Sequence, residues 1–158
     1  MIEIDSIDHI VLTVRDIERT CDFYSSVLGM KVVVFRGHRK ALQFGAQKIN
    51  LHEAGRELEP KAENPTPGSA DICFITTSPL DTVVETLQGA GIAIEEGPVE
   101  RTGATGSIRS VYVRDPDGNL IEISTYSVSS THGSRRVGDS KRKASPRAIA
   151  TADRGAST

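Results

Sequence analysis

Tryptophan is absent from the 158-residue chain, and aromatic residues make up only 4% of it. So few flat side chains leave little from which to build a base-stacking platform for nucleic acid. Only two cysteines occur, Cys21 and Cys73. Two do not make a disulfide framework, and both lie in apolar patterns, so both are expected to be small buried hydrophobes. No apolar run approaches the roughly 20 residues of a membrane span. The amino terminus, MIEIDSIDHI, lacks a basic region followed by an apolar segment, so no secretory signal is read there. A cytoplasmic, reduced protein without a membrane partner is the expectation.

The small net charge of −2 hides an asymmetry. Residues 127–158 carry seven Lys/Arg against Asp139 and Asp153, whereas the rest of the chain is acidic. That tail is rich in Ser, Ala, Gly and Thr and has few large apolar residues. It cannot bury enough surface to offset the entropy of ordering. A disordered basic tail is expected, solvated rather than bound to nucleic acid.

What is present is an ordered alternation of elements. Residues 7–14, IDHIVLTV, put Ile10, Leu12 and Val14 on one strand face and His9, Val11 and Thr13 on the other. Asp16 is a partial N-cap for a helix over 17–28, whose apolar residues Ile17, Cys21, Tyr24 and Leu28 have amphipathic spacing. Gly29 ends it. Strands are predicted at 31–35, 41–44 and 48–52. A polar turn of Gly37, His38 and Arg39 and a second at Gly45-Ala46 separate them. Residues 54–69 contain three prolines and read as an exposed linker.

The same order then returns. A strand is predicted over 70–76. Ser78 caps a helix with Pro79 at its first position, ending in Gly89-Ala90-Gly91. A strand at 92–96, a Gly- and Thr-rich loop at 100–106, and strands at 108–113 and 120–125 complete the copy. The last two are joined by Asp115-Pro116-Asp117-Gly118-Asn119, which is strong turn chemistry. Both copies read β-α-β-β-β with a period of about 62 residues. This duplication predicts an α+β fold of two tandem βαβββ modules, forming a cleft-shaped mixed sheet with helices on the outer faces. The domain covers residues 1–126, with module one at 5–55, the linker at 56–69 and module two at 70–126.

Aligning the copies sets Asp71 opposite His9 and Glu122 opposite Asn50. His52 follows Asn50 on the same strand face. Glu122 stands between Ile121 and Ile123, so its carboxylate must meet solvent, a partner or a metal. Strand parity sends His9, Asp71 and Glu122 into the cleft, where equivalent positions converge on a pseudo-twofold axis. Imidazole and carboxylate groups there suit a divalent cation such as Mn, Fe, Ni, Zn or Co. A hydrogen-bonded core histidine and an edge carboxylate are the plainer alternatives. Arg36, His38 and Arg39 cluster near a hairpin tip. A solvated turn is expected there, with recognition of a substrate anion as the alternative. The stretch Glu95-Glu96-Gly97 and residues 101–106 are expected to rim the cleft and are assigned no chemistry.

DHIVLTVRDIERTCDFYSSVLGMKV, followed far downstream by DPDGNLIEI, resembles the vicinal-oxygen-chelate superfamily. That superfamily includes glyoxalase I, extradiol dioxygenases, fosfomycin-resistance proteins and bleomycin-binding proteins. KINLHEAG, the proline-rich linker and GSADICFIT resemble most closely its small glyoxalase-domain, dioxygenase-like virulence proteins. The resemblance implies that His9 and Glu122 are metal ligands. It places Asp71 where metal-binding members have His, and Asn50 where glyoxalase I has Glu. His52 is a further candidate ligand or pocket residue. Tyr112 matches a tyrosine near the substrate in fosfomycin-resistance proteins. The implied function is a divalent-metal-dependent enzyme, of lyase, isomerase or dioxygenase type, acting on a small oxygen-chelating substrate. Glu122 and Tyr112 would carry the chemistry. The alternative is a metal-free small-molecule binding or resistance protein using the same cleft. Members commonly dimerise or pair modules to complete a cleft, so the resemblance admits a homodimer.

Overall fold

The computed structural model describes residues 1–127, and the expected disordered tail lies otherwise outside the described residues. Module one contains β1 (His9–Val14), α1 (Ile17–Ser26), β2 (Lys31–Phe35), β3 (Arg39–Phe44) and β4 (Gln47–Glu53). Module two contains β5 (Asp71–Ile75), α2 (Leu80–Gly89), β6 (Ile94–Gly103), β7 (Gly106–Arg114) and β8 (Leu120–Tyr126). Each module forms a four-stranded mixed sheet, ordered β1-β4-β3-β2 in sheet A and β5-β8-β7-β6 in sheet B. The pairs β1–β4 and β5–β8 are parallel, and the others are antiparallel. The expected two-module α+β architecture is the observed one.

Each helix covers one face of its own sheet. Asp16 caps α1 by accepting from the Arg19 N–H at 3.0 Å. At the other end Gly29, at φ +67, takes the left-handed turn. The Met30 N–H then bonds back to the Tyr24 carbonyl at 3.0 Å, which stops the helix. The alternation in β1 buries Leu12 and Val14 beneath α1 with Leu42 and Ile49, while Val111, Val113 and Ile121 lie beneath α2 with Leu87. Burying each such large side chain contributes about 1.5–3 kcal/mol. Both helix-bearing faces feed one continuous core, which leaves the helix-free faces on its outside.

Four local expectations are corrected. The cap of α2 is Pro79, with no side-chain hydrogen bond. Ser78 instead donates its N–H to Thr76 Oγ1 at 3.0 Å. Residues 100–103 are strand, because β6 continues through a register shift between Ile94 and Val99. The shift centres on Gly97, at φ +115, where an added Cβ would stand 2.5 Å from the Ser110 carbonyl oxygen. A mid-strand glycine here marks a bulge rather than an end. Arg39 belongs to β3, paired with Phe35, and not to the hairpin turn. Cys73 is exposed while Cys21 is buried, because Cys73 lies on the helix-free side of an edge strand.

The turn at residues 115–119 does more than reverse the chain. The Asp115 carboxylate is 5% exposed. It accepts from the N–H groups of Asp117 and Asn119, each at 2.9 Å, and from Asn119 Nδ2 at 2.8 Å. It also accepts from the Tyr24 hydroxyl of α1 at 3.0 Å. Burial, and then this carboxylate, push the Tyr24 phenol far upward. Asp117 accepts from the N–H and the guanidinium of Arg15, each at 3.1 Å. Asn119 Oδ1 accepts from the Ala70 N–H at 2.9 Å. One five-residue turn thus ties the end of β1, helix α1 and the start of β5 together.

Candidate functional site

The helix-free face of sheet B is set by register. Glu122 pairs with Cys73 on β5 and with Tyr112 on β7, and Tyr112 pairs with Glu96 on β6. Asp71 lies two residues before Cys73, so it shares that face. Ser110 and Ser124 face each other one step further along. Because β8 is an interior strand, Glu122 is not an edge charge. Ser124 Oγ donates to Glu122 Oε1 at 3.2 Å and lies 2.8 Å from Ser110 Oγ and 3.4 Å from Cys73 Sγ. Desolvation pushes the Glu122 carboxyl up. Hydrogen bonds from Ser110, Tyr112, Ser124 and Cys73 outweigh it and hold the group below its ordinary value. Glu122 is therefore ionised at neutral pH.

Tyr112 is fixed from its other side. Arg101 Nε donates to the Tyr112 oxygen at 3.2 Å, and Arg101 Nη2 donates to Glu96 Oε1 at 2.6 Å. The guanidinium lies 5.4 Å from the tyrosine ring centroid. Burial, then the bond to Glu122, raise the Tyr112 phenol, so it remains a donor. Arg101 and Glu96 are residues the sequence left without chemistry. The signal was strand alternation through 99–103, masked by Gly97-Pro98.

The helix-free face of sheet A carries His9, Asn50 and His52, as strand parity predicted. His9 stands on the edge strand, with Nδ1 2.6 Å from Asp8 Oδ1 and a half-exposed ring. Asn50 is buried, and its Oδ1 has no hydrogen-bond partner. His52 is buried with Nε2 3.4 Å from Arg39 Nη2. Burial, then the Arg39 charge, lower its pKa, so its imidazole is neutral at pH 7.

Asp71, Glu122 and Tyr112 are brought to one face, and His9, Asn50 and His52 to the other. The convergence expected of all four candidate ligands does not occur within one chain. Among the described residues, no group of three or more His, Cys, Asp or Glu side chains is placed to hold a metal ion. The shared core explains this, since it lies between the helix-bearing faces and turns both helix-free faces outward.

A family model of the Glyoxalase/Bleomycin resistance protein/Dioxygenase superfamily matches residues 6–123. The chain belongs to that superfamily. Virulence protein STM3117 of Salmonella typhimurium is 66% identical over 123 residues, which cover 78% of this chain and 85% of the relative. Its crystal structure superposes with a TM-score of 0.79 at 64% identity, covering 80% of this chain and 100% of that one. The glyoxalase domain-containing protein RDO1 of Mycosarcoma maydis is 54% identical over 125 residues, or 79% of this chain and 70% of the relative. In this superfamily member, the strand-His motif and the DPDG motif sit on different sheets. The first aspartate of DPDG supports the module junction, and only the glutamate that follows reaches the helix-free face.

Proposed function

We propose that the chain is a divalent-metal-dependent enzyme acting on a small oxygen-chelating substrate, of lyase, isomerase or dioxygenase type. The observation that carries this reading is the Glu122 carboxylate, held ionised on a helix-free face with Cys73 and Tyr112 as its strand neighbours and Asp71 two residues along β5 on the same face. Two carboxylates and an imidazole form a mixed O/N donor set that suits Mn, Fe, Co, Ni or Zn. The proposed site draws Glu122 and Asp71 from one chain and His9 from a second copy. The proposal therefore includes a homodimer. Val11 and Ile75, 47% and 52% exposed on the edge strands β1 and β5, offer apolar surface for such a contact.

A bound metal would supply Lewis-acid polarisation of the substrate's vicinal oxygens. The chain's own residues orient the reaction. Ser110, Ser124 and Cys73 hold the Glu122 carboxylate in place. Arg101 fills an acceptor position on the Tyr112 oxygen, leaving the phenolic proton to point at Glu122 or a substrate oxygen. The test is the metal content and molar mass of the full chain purified without chelators, beside His9→Ala and Glu122→Gln. A dimer with near-stoichiometric metal, lost in both variants, is expected. An intact fold without metal would overturn the reading and favour metal-free binding of a small molecule in the same cleft.

A further inference from the structure

Apart from His9, the helix-free face of sheet A carries a second recognition chemistry that the metal reading does not use. Register places His9, Lys48, Gln43 and Lys31 in one row across this sheet, and Val11, Asn50, Ala41 and Val33 in the next. Thr13 and His52, with Arg39 and Phe35, form the third. No Asp or Glu occupies any of these positions, while three are Lys or Arg and two are His. None of Lys31, Arg39 and Lys48 forms an ion pair among the described residues. Two outside carboxylates reach the face with their charge, Asp8 toward Lys48 and Glu57 toward His52. Asp8 is engaged by His9 and Glu57 by Lys61.

Two of the cations lie against one aromatic ring. Arg39 Cζ lies 5.0 Å, and Lys48 Nζ 4.5 Å, from the centroid of the one Phe35 ring. The ring fixes their positions through cation–π contact but leaves their charge uncompensated. Arg39 Nε is buried without a hydrogen-bond partner, as is Asn50 Oδ1 on the neighbouring strand. Orphaned buried polar atoms are rare in folded proteins, and the orphaned Arg39 Nε is a donor on the face that gathers the cations. His52 contacts Arg39 and does not neutralise it. Uncompensated, partly desolvated positive charge is costly, and an oxyanion is the ligand that removes the cost.

We propose that this face is an anion site, in which Arg39 and Lys48 bind the carboxylate, phosphate or phosphonate group of a small ligand. The guanidinium offers planar paired donors and the ammonium a point charge. The site deepens the proposed function by giving its substrate an anionic end, and it rests on that reading only for the ligand's role as substrate. Arg39 and Lys48 of module one would hold the anion, while Glu122 and Asp71 of module two, with His9 of a second copy, would hold the cation.

The test is an amide chemical-shift titration of the full chain with sodium phosphate and, separately, sodium malonate, at ionic strength held constant with sodium chloride. Saturable shifts in β3 and β4 are expected with at least one of the two, and the tighter arm names the headgroup. Affinity should fall about tenfold or more in Arg39→Gln and in Lys48→Gln, the loss of one charge-assisted contact. It should hold in Glu122→Gln, which separates this site from the metal reading: either can fail while the other stands. Retained spectral dispersion confirms that each variant is folded. Lack of saturation with both anions would overturn the proposal. So would an equal loss in Lys31→Gln, which would reduce the effect to general charge.

Discussion

Sheets A and B share one strand order and one pattern of pairing, yet their helix-free faces differ in chemistry. At equivalent positions His9 stands against Asp71, Val11 against Cys73, Asn50 against Glu122 and His52 against Ser124. Sheet A adds Lys31, Arg39 and Lys48, whereas sheet B adds Glu96 with Arg101. The helix-bearing faces are alike, with Leu12, Val14 and Ile49 in one module answered by Val111, Ile121 and Ile123 in the other. Burial under a helix admits little except apolar residues. The opposite face is free to diverge, and there the two modules took up different charge.

The largest effect is expected at the module-two turn that ties the two modules together. Asp115→Ala removes a buried carboxylate with four donors aimed at it and should cost about 3 kcal/mol or more. Urea unfolding reads this loss. Gly97→Ala strikes the bulge that distinguishes β6 from β2, and overpacking against the Ser110 carbonyl should cost about 2 kcal/mol by the same measurement.

A smaller effect separates the two faces by pH. The folded-state imidazole of His52 titrates below its ordinary 6.5. The unfolded chain therefore takes up the proton first as pH falls. Stability is lost from about pH 6.5 downward until the folded-state value is passed. His52→Gln should flatten the urea midpoint across that window, and an unchanged slope would remove His52 as its source. The smallest expected effect lies on the acidic face. Tyr112→Phe removes one of the groups holding the Glu122 carboxyl down, so carboxyl-carbon NMR should find Glu122 titrating higher than in the wild type.

Most of the fold was legible because its signals are local. Strand alternation in IDHIVLTV, the Asp16 cap, Gly29 and the 62-residue repeat each name an element or its end. The same parity placed His9, Asp71 and Glu122 on helix-free faces. What escaped depends on neighbours distant in sequence. Gly97-Pro98 reads as a strand end unless β7 is there to carry the bulge. Arg39 reads as a turn residue until Phe35 pairs with it. The role of Asp115 is invisible without Tyr24, 91 residues away. Convergence of the candidate ligands was inferred from symmetry alone. Symmetry fixes equivalence of positions but not which copies face each other.

The proposed site joins Glu122 and Asp71 of one chain to His9 of another at a metal. Its most direct test is complementation between His9→Ala and Glu122→Gln chains, co-expressed and isolated as the mixed dimer. A mixed dimer has one site with both ligands intact if the site spans two chains, and none if each site is built within one chain. Each variant alone should lack bound metal, and the mixed dimer should recover one metal per two chains. A mixed dimer as empty as either variant, beside a metal-loaded wild type, would contradict it.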